Sequence, residues 1–198
     1  QIIKNHKKIV SIFPGSRSSE VNILLPILIN FIKMMNKKHK DIFYVFHSTT
    51  EFNKSVQEKL LKEGFINCGS IFDEKIKSEI LKCSMFAVAK SGTVSLEICN
   101  AKVPSIIIYK MNFVNYLILK MLVKVKFANI INIAANEEII PELLQSNCNS
   151  KNIFNKTNSF FMSTQLVKDQ IDKTQEIIKG FKTNRFSEIA SSVLIKSL

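Results

Sequence analysis

Four short apolar runs, at residues 9–13, 42–46, 85–89 and 105–109, alternate with segments whose apolar residues recur at helical spacing, at 20–38, 50–63, 74–83 and 93–101. A weaker run lies at 65–68. Continuous apolar runs of this length read as strands buried on both faces. Strand and helix in alternation restrict the chain to a parallel sheet, because parallel neighbours need a crossover and the crossover is right-handed. The expected fold class is therefore α/β: a Rossmann-like parallel sheet flanked by helices, with further helices at the C-terminal end. In such a sheet every strand-to-helix turn falls on the same edge, which is where ligands bind.

Two of those turns are rich in small residues. The first is Pro14-Gly15-Ser16-Arg17, after the strand at 9–13, and the second is Ser91-Gly92-Thr93, after the strand at 85–89. A turn that opens a helix presents unpaired N–H groups and a positive dipole end to an anion. Gly15 and Gly92 let the backbone approach a ligand closely, and the Arg17 guanidinium offers a fork of donors to phosphate oxygens. Glu97 follows Thr93 by four residues, on the same helix face, where a carboxylate can hold a sugar diol. Taken singly, each turn is equally the steric requirement of a tight loop. Together on one edge, they point to a shared phosphate site and a nucleotide ligand.

The rest of the chain is less regular. Pro26 lies deep in the first helical segment, which predicts a kink or a delayed start there, with Ser18 or Ser19 as cap. Residues 112–124 are apolar around most of their circumference, with Lys120 and Lys124 at i and i+4; they read as a core helix or as one leaning on a membrane interface. Residues 129–136 read as a loop or short extended piece, and residues 137–145 as a short helix interrupted near Pro141. The Asn- and Ser-rich residues 145–158 read as a loose connection with room for a short helical piece. Terminal helices are expected at 164–180, stopping at Gly180, and at 185–197.

With 198 residues and 46% hydrophobic content, one domain with a helical tail is well within reach. The four cysteines are widely spaced and contain no Cys-x-x-Cys pair, so they read as reduced thiols in a cytoplasmic protein. Three scattered histidines give no metal-ligand pair. His6 and His39 sit among lysines and read as surface, while His47 closes the strand at 42–46 and reads more simply as a satisfied or surface histidine than as a site residue. A net charge of +12 invites nucleic acid or anionic membrane as partner. The excess lysines are dispersed along amphipathic segments, and with three tyrosines and no tryptophan there is little for bases to stack on, so nucleic acid is not expected. Peripheral contact with anionic lipid remains compatible. The chain opens on Gln1 and reaches its first strand within eight residues, which reads as a start inside a longer protein; no signal peptide or charge-free membrane span is evident.

In their order and spacing these residues resemble the lipid-A-disaccharide synthase family, inverting glycosyltransferases of the two-domain GT-B type. The resemblance rests on Pro14-Gly15-Ser16-Arg17 with Glu20, on Ser91-Gly92-Thr93 with Leu96-Glu97, Ala101-Lys102, Pro104 and Tyr109-Lys110, and on Asn132 followed by Glu138 and Glu142-Leu143-Leu144-Gln145. It runs from about residue 8 to 145. Ile131 stands where a Pro often precedes the matched Asn, and Asn136-Glu137 where Gly-Arg is often found.

The resemblance implies a UDP-sugar-binding half, spanning residues 8–145, with residues 146–198 as a helical segment packing on it or returning from it. Such enzymes transfer 2,3-diacylglucosamine from UDP to 2,3-diacylglucosamine 1-phosphate, forming a β-1,6 disaccharide 1-phosphate and UDP, on the cytoplasmic side of the inner membrane and with no metal or other cofactor. Gly15, Ser16, Arg17, Ser91, Gly92 and Thr93 would then hold the diphosphate, Arg17 stabilising the leaving group. Glu97 would hold the ribose, and Asn132 would contact the donor. The family's N-terminal half, with the lipid acceptor site and the general base, has no counterpart in this chain, which is expected to be inactive alone; an oligomer is compatible. Two other readings stay open: another GT-B enzyme of UDP-N-acetylglucosamine, transferase or epimerase, and a non-catalytic basic binding module.

Overall fold

The structure is a computed structural model and describes residues 8–112 and 126–182. The expected strands form at β1 (Lys8–Phe13), β2 (Ile42–His47), β4 (Phe86–Lys90) and β5 (Ser105–Tyr109), with β3 (Cys68–Ile71) and a sixth, β6 (Glu142–Leu144). All pair in parallel in the order β3-β2-β1-β4-β5-β6. The α/β expectation holds. The strand order reverses between β1 and β4, whose pairing runs from Val10 opposite Phe86 to Phe13 opposite Ala89.

Alternation along each strand explains why these runs are apolar throughout. Val10, Ile12, Tyr44, Phe46, Phe86, Val88, Ile106 and Ile108 pack on one side, beneath α1 (Ser18–Lys38) and α6 (Ser150–Phe161). Their neighbours Ala87, Ala89 and Ile107 face the other side, against α4 (Val94–Asn100), α5 (Ile130–Ala135) and α7 (Thr164–Lys182). Ile9, Phe43 and Val45 complete that face with Ile80 of α3 (Glu74–Lys82). Between β2 and β3, α2 (Thr50–Lys62) buries Val56 and Leu60. Each such burial is worth roughly 1.5–3 kcal/mol, enough to override weak local preferences.

Helix α1 shows that override. It begins at Ser18 and runs through Pro26, so the expected delayed start does not occur. Eight of its side chains are buried, and that stripe outweighs the one backbone bond a proline forfeits. By length and composition α1 would pass as a membrane-crossing helix, yet its apolar face is the core beneath the sheet. Nor does Ser18 or Ser19 cap it: Arg17 occupies the cap position without a side-chain bond, and Ser18 Oγ accepts from Asn22 Nδ2 instead.

Five further expectations are corrected. Residues 129–136 are not extended but form α5, capped by Asn129 Oδ1 on the Ile131 amide and stopped by Asn136 in the left-handed region at φ 51°. Residues 142–144, placed in a helix, are β6, because pairing with Ile107–Tyr109 satisfies the edge of β5. The loose connection at 145–158 contains most of α6, whose Asn149 cap accepts from Asn152 N–H and whose Ile153, Thr157 and Phe160 are buried at helical spacing. Helix α7 continues past Gly180 to Lys182, and β3 lies three residues beyond the start of the weak run at 65–68. Gln170 of α7 acts as a strand partner, accepting from Ser105 N–H and donating to Ser105 O at the start of β5. The helices expected at 112–124 and 185–197 lie almost wholly outside the described residues, as does His6.

Candidate functional site

The site is assembled by the sheet. Because β1 and β4 are neighbours at the reversal of strand order, the turns that follow them are brought side by side at the C-terminal edge, the crevice where open α/β sheets bind ligands. Between them lies a hollow of about 210 Å³ lined by Gly15, Ser16, Lys90, Ser91, Gly92 and Thr93. A second hollow of about 490 Å³ adjoins it between α3 and α4, bordered by Lys77, Ser78, Glu97 and Asn100. Phe13, Ser16, His47, Thr49, Lys77 and Val94 belong to both.

The first turn is held by an internal carboxylate. Gly15 has φ +108°, and a Cβ there would stand 2.5 Å from Glu20 Oε2, so only glycine fits. Glu20 Oε2 accepts from Ser16 N–H at 3.1 Å, and Glu20 Oε1 lies 2.9 Å from Lys90 Nζ. Burial works to raise the Glu20 pKa, but the Lys90 bond and charge, with the Ser16 and Arg17 amides, together hold it below the usual value. In the second turn, Ser91 is spent on structure: its Oγ donates to Ala128 O and its N–H to Ile108 O. The Gly92 and Thr93 N–H groups take no hydrogen bond among the described residues and open on the hollow. Space around Gly92 is open on the side a Cβ would occupy.

The cations are arranged differently from expectation. Arg17 carries its side chain 80% exposed, and its one ion pair among the described residues is with Glu20, at 3.9 Å. Lys90, the last residue of β4, lines the smaller hollow together with Lys77: its side chain is 20% exposed, and its ammonium lies 5.3 Å from the Tyr109 ring centre. Sequence reasoning passed over Lys90, although its place at the C-terminal end of a strand next to a glycine turn is a usable signal. His47 was also undervalued. It is 4% exposed, stacks on Phe13 at 4.1 Å between ring centres, and has Nε2 2.7 Å from Ser11 Oγ. Burial, with the Lys77 charge adding to it, pushes its pKa down to about 3. His39 is not a free surface residue either, since Nε2 bonds Asn158 Oδ1 and its ring meets Phe161.

Glu97 borders the larger hollow, one helical turn beyond Thr93. Asn132, expected at the ligand, borders neither hollow and is fully buried. Its Nδ2 donates to Ile140 O and Glu142 Oε1, and its Oδ1 accepts from the Ile139 and Ile140 amides. All four of its bonding positions are used, so in this arrangement Asn132 fastens α5 to β6 and has nothing left for a ligand. Among the described residues no cluster of His, Cys, Asp and Glu has metal-holding geometry. The four cysteines are free thiols.

Free amide N–H groups, a partly screened lysine and an adjoining larger hollow at a sheet's switch point belong to a familiar architecture. The chain has the fold of the C-terminal domain of GT-B glycosyltransferases. It is similar to the C-terminal domain of a group 1 glycosyl transferase from Francisella tularensis (TM-score 0.61, 15% identity, covering 88% of this chain and 85% of that one). It is also similar to TarM (TM-score 0.65, 12% identity, 96% of this chain and 35% of that one) and to S. aureus MnaA solved with UDP (TM-score 0.56, 12% identity, 91% and 45%).

Sequence comparison narrows the class further. The chain belongs to the lipid-A-disaccharide synthase family, glycosyltransferases of lipid A biosynthesis: the family model described as lipid-A-disaccharide synthetase matches residues 1–195. The lipid-A-disaccharide synthase of Sulfurihydrogenibium sp. is 34% identical over 97% of this chain and 52% of its own length, and that of Rickettsia prowazekii 31% identical over 98% and 51%. The chain thus spans about half the length of the curated relatives it matches. Membership of this family sets the chain apart from the UDP-N-acetylglucosamine epimerases.

Proposed function

We propose that the chain is the donor-binding half of a lipid-A-disaccharide synthase and that the paired hollows hold the UDP moiety of UDP-2,3-diacylglucosamine. One observation carries this reading: the two glycine turns of the family pattern meet at the switch point with the Gly92 and Thr93 amides unspent. The diphosphate takes the smaller hollow, against those amides, Lys90, and the turn of Gly15, Ser16 and Arg17. The uridine takes the larger one, with its ribose hydroxyls on Glu97. Ser91 shapes the second turn through its bond to Ala128, and Asn132 supports the floor of the domain from behind.

In the transfer, the bond between the sugar C1 and the diphosphate breaks as the acceptor hydroxyl attacks from the opposite face. Negative charge then grows on UDP, and preorganised amides and a nearby cation stabilise it more than they stabilise the bound donor. The acceptor, 2,3-diacylglucosamine 1-phosphate, and the base that takes its proton belong to the other half, so residues 8–145 bind the donor while α6 and α7 buttress them. A cytoplasmic setting, with peripheral contact between the lysine-rich surface and anionic lipid, fits a reaction whose two substrates are acylated.

Titration calorimetry with UDP tests the assignment. The chain binds UDP, and Glu97→Ala weakens binding about tenfold, the cost of one hydrogen-bonded charged contact. Undiminished binding by that variant would remove Glu97 from the site.

A further inference from the structure

The hydrogen-bond chain behind the hollows sets the state of His47. Ser84 Oγ donates to the Ile80 carbonyl at 2.8 Å, which uses its one proton. Ser84 therefore accepts from Ser11 Oγ, 2.7 Å away, and Ser11 in turn accepts from His47 Nε2, also at 2.7 Å. Only this direction satisfies every member of the chain, and it places the imidazole proton on Nε2. The depressed pKa leaves the ring neutral at physiological pH, because burial and Lys77 both oppose its charge. Nδ1 is then a bare lone pair, buried without a partner among the described residues. Thr49 Oγ1, on the same wall, is likewise buried and unpaired.

We infer that His47 reads the nucleoside, its Nδ1 accepting a hydrogen bond from a hydroxyl or ring N–H of the bound uridine where the two hollows join. A neutral acceptor at that point discriminates by chemistry. The esterified diphosphate of a UDP-sugar is fully ionised near neutral pH and has no proton to offer it, whereas a ribose hydroxyl or the uracil N–H completes an unmet bond. The stacked Phe13 ring fixes the imidazole plane, and the Ser11–Ser84 chain fixes which nitrogen faces the ligand. Thr49 supplies the second unspent polar atom, able to donate or accept beside it.

This inference rests on the donor-half reading, and one set of titrations separates the two. UDP and inorganic pyrophosphate are titrated against the chain and against His47→Phe, which keeps the ring and its stack on Phe13. UDP affinity is expected to fall about tenfold in the variant while pyrophosphate affinity stays unchanged. Failure of the unmodified chain to bind UDP overturns the donor-half reading and the inference with it. Tight UDP binding that His47→Phe leaves intact, or an equal loss for both ligands, overturns the role of His47 alone. Nitrogen-15 NMR of labelled histidine gives a second readout that needs no variant to fold. It is expected to show a neutral ring with an unprotonated Nδ1 whose resonance moves on adding UDP but not pyrophosphate; a protonated Nδ1, or no UDP-dependent shift, overturns the inference.

Discussion

At the scale of single residues, the site turns on which cation is in the hollow. Arg17 has the chemistry of a phosphate fork but stands in water, whereas Lys90 is drawn in between Glu20 and the Tyr109 ring. Truncating Lys90 removes the inner cation and also leaves the Glu20 carboxylate uncompensated beside the incoming phosphates. Lys90→Ala should therefore weaken UDP binding about 10–100-fold, the range for one charge-assisted bond, and Arg17→Ala should cost less; titration calorimetry on both variants checks the order. The opposite order would return Arg17 to the centre of the site. Gly15 was legible as a required glycine and has its reason in Glu20. Asn132 was legible as a matched motif residue and not as a structural one, because burial and bond saturation are properties of the folded surroundings.

At the scale of elements, the strands and the helices between them were readable because period and length agree: five-residue apolar runs bounded by turns fit buried strands, and longer stripes at 3.6 spacing fit helices. The misread pieces lie after β5, where local and tertiary signals conflict. Residues 145–158 are Asn- and Ser-rich, which argues for a loop, but Asn149 is a cap and Phe160 closes the core against Phe86. Because the helix depends on that cap to offset its polar composition, Asn149→Ala should destabilise the fold by about 1 kcal/mol, measured by urea denaturation. A loss below a few tenths would mean that Phe160 and Ile153 hold α6 without it. Residues 142–144 failed for a related reason, since three residues carry no periodicity and became a strand only because β5 offered an edge.

At the scale of the molecule, the proposed reading has the paired hollows hold a donor, and the carboxylates that line them are committed elsewhere, Glu20 to Lys90, Glu74 to Lys77 and Glu97 to the ribose. His47, the one imidazole in them, is neutral but keeps its proton on Nε2 inside the sheet, and burial and Lys77 make it a poor base at pH 7. The chain incubated alone with UDP-2,3-diacylglucosamine and the acylated acceptor should bind UDP and form no disaccharide, as followed by chromatography of the lipid products. Disaccharide formation would place a base within the residues of this chain.

The order and periodicity of the residues by themselves determined the α/β class, the crossovers and the two glycine turns, because backbone sterics and burial act locally and repeat. Only the tertiary structure decided what meets at the sheet edge. The strand order set β1 between β2 and β4, and so brought Lys90 to Glu20 and both His47 and Ser84 to Ser11, pairs separated by tens of residues along the chain. Contacts of that range carry no local signature: whether a polar atom is spent on the protein or left for a ligand depends on neighbours supplied by other elements, and it was this that took Asn132 out of the site and put His47 and Lys90 in it.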